Sequence, residues 1–217
     1  MELKKINIKN FKKVSNVDLD LADLNILVGA NSSGKSSILQ AIHLASCLAR
    51  QAKENLRRNN STVISVNELD YLPTNNYKKL GNDNDWGNRE DSPFSKVNFV
   101  IGDEEASRQI TVNTEIRGAR NAGISVKGNL PQEVSNLFRG QGRFFSAYIP
   151  GISGMPNEEL KQSKRVVLKA CSFGDANFYL RNALLLLTDD EVSNIEAWLN
   201  ELIGTIKYAL AMMPKRI

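Results

Sequence analysis

Residues 25–51 read NILVGANSSGKSSILQAIHLASCLARQ, and this stretch decides the fold. It opens with Asn25 to Val28, a short and mainly apolar run without alternation. Such a run is typical of a β-strand buried on both faces of a mostly parallel sheet. After a glycine-containing segment, apolar residues recur at helical spacing from Ile38 to Ala49. The stretch therefore predicts a strand, a loop and an amphipathic helix in direct succession.

The loop in this unit fits the pattern G-x-x-x-x-G-K-[ST] at every fixed position. Its residues are Gly29, Ala30, Asn31, Ser32, Ser33, Gly34, Lys35 and Ser36. Glycines let the backbone turn so that successive N–H groups face a phosphate, and the new helix adds its positive dipole end. We expect Lys35 to contact the β and γ phosphates, the Ser36 hydroxyl to bind Mg²⁺, and Ser37 to assist at the α phosphate. The sequence predicts a P-loop for ATP and Mg²⁺; the alternative is a glycine turn that only starts a helix.

Several segments alternate polar and apolar residues, which is typical of half-buried strands. They are 3–8, 17–21, 96–101, 109–116 and 123–127. We expect the first two to pair around a turn near 14–16, and the last three to form an antiparallel meander.

A stretch rich in Asn, Asp and Gly, 75–95, predicts an exposed loop or insertion in which Trp86 either anchors the loop or stacks on a base or partner. Beyond the meander we predict one strand and three helices. The strand is 143–149, and the helices are 158–171, 175–187 and 191–203, the last continuing towards Met213.

The predicted fold class is thus α/β, a P-loop nucleoside triphosphatase with parallel core strands, an antiparallel β subdomain and C-terminal helices. We expect the whole chain, 1–217, to form one incomplete ATPase domain. Residues 1–60 hold strands, P-loop and helix, 61–150 the loop and antiparallel region, and 151–217 the helical region.

Composition agrees with a soluble domain: the chain has 217 residues, of which 41% are hydrophobic and 24% charged. No apolar run approaches the roughly 20 residues of a membrane-spanning helix, and the N-terminus lacks a signal peptide, so we expect a cytoplasmic protein without membrane contact. Cys47 and Cys171 are the only cysteines and His43 the only histidine, so neither a disulfide framework nor a zinc site is predicted. The net charge of +4 weakly favours anionic partners.

The segments KKINIKNF (4–11) and ILVGANSSGKSSILQAI (26–42) resemble the start of the SMC, Rad50, RecF and OLD-type ATPases of the ABC class. Asn31 is typical of that class, whereas Ser32 stands where glycine is commonest. Two later segments, 148–156 and 174–187, are similar to bacterial AAA_15/AAA_21-like ATPases, some of them anti-phage defence proteins. The resemblance implies an antiparallel subdomain beside the P-loop and places 11–13 near the adenine or the phosphates.

The resemblance also implies what should complete the site. An ABC-class ATPase needs a Walker B strand, a signature loop and usually a second copy. We therefore expect the chain to be an N-terminal lobe that hydrolyses ATP only when completed by its missing C-terminal half or a second copy. Catalytic residues are unknown, and DNA and a nuclease are further partners that the resemblance suggests.

Two segments imitate the missing motifs. Leu184 to Glu191, LLLLTDDE, looks like a Walker B strand, but its apolar residues continue a helical spacing, and Thr188 to Glu191 fits a capping box. Ile152 to Gly154, ISG, looks like part of a signature loop but lacks the second glycine, so we interpret it as a loop.

Three functions stay open on the sequence alone. The first is an ATP-driven switch that regulates DNA processing or a nuclease in repair or defence. The second is a P-loop kinase of another class, and the third is a non-hydrolysing ATP-binding interaction module. No nuclease motif is visible in the sequence.

Overall fold

The computed structural model describes residues 1–74, 76–89, 91–103, 107–120, 122–138, 145–146, 148, 158–173 and 176–203. The chain divides into two compact units. The first comprises 1–150 with 172–174, and the second comprises 151–171 with 175–217.

The first unit is built on one sheet. In the described part of that unit the strands are β1 (Glu2–Phe11), β2 (Val14–Asp20), β3 (Thr62–Ser65), β4 (Ser95–Asp103), β5 (Arg108–Gly118) and β6 (Gly123–Asn129). Their order across the sheet is β2-β1-β4-β5-β6-β3, and every pair is antiparallel. The helices are α1 (Lys35–Gln51) and the short α2 (Lys53–Arg57), with 3-10 turns at Val66–Glu68, Tyr77–Leu80 and Ser135–Phe138.

The strands alternate because successive side chains of a strand point to opposite faces. On β1, Ile6 and Ile8 are buried, while Lys9 points to solvent. The apolar faces of β1, β4 and β5 pack against α1. The helix presents a matching stripe of small and aliphatic residues, all fully buried: Ala41, Leu44, Ala45, Leu48 and Ala49. The interface between the sheet and α1 forms the hydrophobic core.

An aromatic cluster closes one part of this core. The Phe99 ring lies edge-on to Phe145, with ring centroids 5.5 Å apart, and 6.1 Å from Phe138. Phe138 and Phe145 stack with centroids 4.2 Å apart. Such tilted and stacked arrangements are those that aromatic quadrupoles favour.

The five strands predicted from alternating residues all exist, and the antiparallel meander is confirmed as β4, β5 and β6. Two details differ. The β1–β2 turn lies at Lys12–Lys13 rather than near 14–16, because Val14 already pairs with Phe11. The four-residue strand β3 was not predicted; it is too short to show clear alternation.

The predicted parallel core strand at Asn25–Val28 is not confirmed. These residues form no strand, and the sheet contains only antiparallel pairs. The side chains of Ile26 and Val28 are 76% and 90% exposed. A strand buried on both faces needs neighbouring strands and a covering layer, and the described residues supply neither to this segment.

The stretch around Trp86 is an insertion with no regular strand or α-helix, as predicted, but part of it is buried. Trp86 is 2% exposed, packs against Phe11 and donates its indole N–H to the Ser95 hydroxyl at 2.8 Å. Leu80 in the same stretch is fully buried. The anchoring role of Trp86 is therefore confirmed over the stacking role.

The second unit is helical in its described part, with α3 (Lys164–Phe173), α4 (Leu180–Leu185) and α5 (Asp189–Ile203) and a 3-10 turn at Ala176–Tyr179. The helical prediction is confirmed in type, although α3 begins six residues after the predicted start. None of the helices in the described part of the chain is long and apolar enough to span a bilayer. The predicted extension of α5 and most of the strand predicted at 143–149 lie outside the described residues.

Glu159 caps α4 from a distance. Its carboxylate accepts hydrogen bonds from the backbone N–H groups of Arg181 at 3.0 Å and Asn182 at 2.7 Å. The Asn182 side chain donates to the same carboxylate and to the Leu160 carbonyl. Desolvation acts to raise the pKa of Glu159, but these hydrogen bonds lower that pKa below its ordinary value. The cap replaces the helical partners that first-turn N–H groups lack.

We predict that Phe99→Ala lowers the free energy of unfolding of the first unit by about 3–5 kcal/mol, because it removes a fully buried ring from a cluster that cannot close around the cavity. Denaturant unfolding would measure the loss. Val63→Ala is the matched control: Val63 lies on the edge strand β3 and is 58% exposed, so its loss should change stability by no more than about 0.5 kcal/mol. Equal effects of the two substitutions would contradict this packing.

Candidate nucleotide-binding site

The predicted loop lies between the unpaired segment 25–28 and the first turn of α1. Ser32 and Gly34 have positive φ angles of 64° and 98°, so the backbone turns twice within three residues. A Cβ at Gly29 would lie only 2.9 Å from the Ser33 hydroxyl oxygen. Gly34 is therefore required by its φ angle, whereas a side chain at Gly29 would need only a rotation of the Ser33 hydroxyl.

Lys35 closes the loop on itself. Its ammonium group donates to the carbonyls of Gly29 and Ala30 at 2.8 and 2.7 Å, and lies 3.4 Å from the Ser33 hydroxyl. The side chain thus folds back along the concave side of the loop. A lysine held by neutral carbonyls can exchange them for phosphate oxygens, since a charged acceptor makes the stronger hydrogen bond.

The first turn of α1 offers free donors. The first helical bond runs from the Ile38 N–H to the Gly34 carbonyl at 3.0 Å. Among the described residues, no group accepts from the backbone N–H of Lys35, Ser36 or Ser37. The donors of a first turn and the positive end of the helix dipole together attract anions.

The two serines of this turn differ in access. The Ser36 side chain is exposed beside the loop, where its hydroxyl could bind Mg²⁺. Ser37, in contrast, is buried, with only 7% of the residue exposed. The remaining motif residues are exposed, namely Ala30, Asn31, Ser32 and Ser33.

The β1–β2 turn lies against the start of α1. A Cβ at Gly34 would lie 3.5 Å from the Lys13 Cβ and 3.7 Å from the Lys13 carbonyl oxygen. Lys12 donates to the Gln40 side chain on α1 at 2.7 Å, and burial lowers the pKa of its ammonium group. Both lysines of this turn thus lie against α1, Lys13 at Gly34 and Lys12 at Gln40. Phe11, in contrast, is fully buried against Trp86 and cannot stack on an adenine.

The turn is held by residues that the sequence did not single out. Asn10 has a positive φ of 54°, and its side-chain oxygen accepts from the Asn82 N–H at 2.8 Å. The Asn82 side chain donates to the Lys12 carbonyl at 2.6 Å, and the Lys12 N–H donates to the Leu80 carbonyl. In the sequence, Asn10, which stands two residues before Lys12 and Lys13, is the only local signal of such a turn. The insertion thus fixes the position of both lysines.

His43 has a structural role, which is what we expect of the only histidine in the chain. It is 5% exposed, its Nδ1 lies 2.9 Å from the Ser146 hydroxyl, and its ring meets the Tyr71 ring edge-on at 4.6 Å. Its Nε2 lies 3.7 Å from the Cys47 sulfur, and burial raises the pKa of that thiol to about 12. Cys47 and Cys171 are both free thiols.

The segment that resembles a Walker B strand, Leu184 to Glu191, forms the end of one helix and the capping box of the next, as predicted. Leu184 and Leu185 belong to α4, and α5 starts at Asp189. The Thr188 N–H donates to the Glu191 carboxylate at 2.7 Å, and the Glu191 N–H returns a bond to the Thr188 hydroxyl at 3.3 Å. These bonds lower the pKa of Glu191. The signature-like segment at 152–154 lies outside the described residues.

The residues present fit a nucleoside triphosphate with Mg²⁺ on one side of the loop. Free first-turn N–H groups and the Lys35 ammonium group can donate to phosphate oxygens, and the exposed Ser36 hydroxyl can supply an oxygen ligand to magnesium. Mg²⁺ would supply charge neutralisation at the phosphates. The described residues contain no group of three or more His, Cys, Asp or Glu able to hold a metal ion.

The first unit thus carries a glycine-containing loop that leads into a helix packed on an antiparallel sheet. The AAA ATPase domain model AAA_15 matches residues 1–136, more than half of the chain, and the chain belongs to this family. The match confirms the resemblance to ABC-class P-loop ATPases.

Curated relatives match a shorter stretch. The chain is 52% identical over 44 residues to the DNA replication and repair protein RecF of Sodalis glossinidius (strain morsitans), and 50% identical over 44 residues to RecF of Salmonella typhi. The match covers 20% of this chain and 12% of the length of each relative.

We predict that Glu191→Gln leaves ATP binding and any phosphate release unchanged, because Glu191 caps α5 and does not act as a base. The lowered pKa means that the cap stabilises α5 above the ordinary carboxyl pKa and is lost as pH falls through the folded value. Helix content followed from pH 7 to pH 3 should show this loss in the native chain and not in Glu191→Gln. Asp190→Asn is the control. A loss of phosphate release in Glu191→Gln alone would indicate that Glu191 acts as the catalytic base.

Proposed function

We propose that this chain is the ATP-binding lobe of an ABC-type ATPase, in which residues 29–37 bind the phosphates of ATP and the Ser36 hydroxyl binds Mg²⁺. The single observation that supports the proposal most is the coincidence of an intact P-loop motif with free N–H groups at the start of α1. The family membership supports the ATPase class.

Charge around the loop supports an anionic ligand. Lys35 lies within it, and the β1–β2 turn places Lys13 against Gly34 at the helix start. Two lysines and a helix N-terminus would attract the negative charge of a triphosphate.

Hydrolysis should need more than these residues. Among the described residues no carboxylate is placed as a base beside the loop, since Glu191 is bound in its capping box. We propose that the rest of the ATPase, or a second copy, supplies the catalytic groups, and that the assembled protein works in the cytoplasm.

The partner that we propose for the assembled ATPase is DNA, in repair or in anti-phage defence, with a nuclease acting alongside. The solvent-facing side of the sheet, which carries Lys9, supports the proposal that DNA is a partner. Lys9 lies directly opposite Lys96 on this face; Lys96 pairs with the Glu115 carboxylate at 3.7 Å, whereas no carboxylate of the described residues pairs with Lys9. Lys9 is therefore available to pair with a phosphate of a nucleic-acid backbone.

ATP binding can be tested by calorimetry on the 217-residue chain with Mg²⁺ present. We expect Lys35→Ala to weaken ATP binding at least about tenfold, which is about 1.4 kcal/mol, because it removes the only cation inside the loop. Lys161→Ala is the control: Lys161 is exposed in the second unit and should leave the affinity unchanged. Phosphate release measured in the same samples should be absent.

The outcomes separate the candidate functions. ATP binding without turnover, even in the assembled protein, would favour a non-hydrolysing binding module. Phosphate transfer to a small acceptor would favour a P-loop kinase. Equal binding by Lys35→Ala and the native chain would overturn the phosphate site itself.

DNA binding has its own test. We expect Lys9→Gln to weaken binding of a DNA duplex and to reduce the slope of log affinity against log salt concentration by about one, because one phosphate contact is lost. Fluorescence anisotropy over a salt series would measure the slope. Lys161→Gln serves as the control, and an unchanged slope in Lys9→Gln would remove this face from the proposal.

A further inference from the structure

The two edges of the antiparallel sheet are protected unequally. At one edge, β3 has only four residues, and so short a strand offers little for another chain to pair with. At the other edge, β2 has seven residues and pairs with β1 in unbroken register. It contains no proline, lysine or bulge, which are features that commonly block an edge. Within the described residues β2 has no second neighbour, so this edge is open to a further strand.

The register shows which main-chain groups of β2 point away from β1. The Leu21 N–H donates to the Lys4 carbonyl at 2.8 Å, and the pairing continues from there without a shift. Hydrogen-bonded pairs recur at every second residue of antiparallel strands, so Val17 and Leu19 also bond to β1. The even-numbered residues of β2 therefore direct their N–H and C=O groups outward. They include Asn16, Asp18 and Asp20.

The side chains of β2 form one apolar and one acidic row. Val17 and Leu19 are half-buried and lie opposite buried isoleucines of β1, so they belong to the core face of the sheet. Asp18 and Asp20 are exposed on the other face. The chain has 28 lysines and arginines, yet none occurs between residues 14 and 34. The open edge is thus an acidic strip of a basic protein.

The two carboxylates of this strip differ in their partners. Asp20 pairs with the Lys5 ammonium group at 3.5 Å. Asp18 accepts a hydrogen bond from the Asn7 side-chain amide at 2.9 Å, and it has no ion pair within the described residues. Asp18 is therefore the carboxylate that is most available to a cation from outside the sheet.

We propose that β2 is a docking edge for an extended segment of a partner protein in which lysine or arginine alternates with apolar residues. The main chain of this segment would pair with the outward groups of β2. Its basic side chains would lie opposite Asp18 and Asp20, and its apolar side chains would extend the core face. β2 of a second copy does not suit this edge, because it would add further aspartates and like charges on neighbouring strands repel. The docking needs no nucleotide.

Residue-resolved hydrogen exchange on the 217-residue chain tests the docking without ATP. The probe is a blocked peptide in which lysine and valine alternate over seven residues, the length of β2. When this peptide is added, we expect the outward amides of Asn16, Asp18 and Asp20 to exchange at least about tenfold more slowly. The amides of Val17 and Leu19 should exchange slowly with and without the peptide, because β1 already pairs with them.

Two variants separate the main chain from the charges. Asn16→Pro removes one outward N–H and keeps both aspartates, and an edge strand tolerates proline where the N–H faces solvent. Asp18→Asn removes one carboxylate and keeps every main-chain donor. We expect each to weaken peptide binding, measured by fluorescence anisotropy, at least about fivefold. Slow exchange of Leu19 would show that β2 still pairs with β1. Asp23→Asn is the control, since Asp23 is exposed beyond the end of β2 and should leave the affinity unchanged.

Three results would overturn the proposal. An isomeric peptide with all its lysines in one run should not bind, and equal binding of this isomer would show that charge alone attracts the peptide. Binding of the alternating peptide without added protection of the outward amides would place the peptide elsewhere on the chain. Protection of these amides in the chain alone, together with a dimer mass, would make a second copy the occupant of the edge.

Discussion

The packing of α1 on the apolar face of the antiparallel sheet is the contact on which the rest of the first unit depends. It buries the continuous stripe of small and aliphatic residues between Ala41 and Ala49. Burial of this kind is the main favourable term in folding. Because the helix begins at Lys35, the same packing fixes where the positive end of the helix dipole lies. Core packing and ligand geometry are therefore set by one element.

The β1–β2 turn links this core to the chemistry of the loop. It places Lys13 against Gly34 at the helix start and Lys12 against Gln40, and it is held in turn by Asn82 and by the insertion around Trp86. Long side chains lose much conformational freedom on ordering, so a preformed turn lowers the cost of holding these lysines against α1. The insertion, which in sequence looks like surface polypeptide, is thus part of the support of the site.

Much of this architecture was predictable from local patterns in the sequence. The motif at 29–36, the helix after it and the alternating strands follow from spacing, since period two and period 3.6 are properties of the backbone. The capping box at Thr188 to Glu191 was also predictable, because its bonds span three residues. The contact of Lys12 with Gln40 was not predictable from such patterns, because it joins residues 28 positions apart.

By itself, then, the sequence determined that a loop with the P-loop motif leads into an amphipathic helix, because both depend on residues within one or two turns of each other. Only the tertiary structure decided that Lys13 lies against Gly34 and Lys12 against Gln40, and that Phe11 belongs to the core. It also decided the state of residues 25–28, whose composition is that of a buried strand. Burial needs neighbours, and the residues that surround a strand are far away in sequence or, for this segment, absent from the described structure.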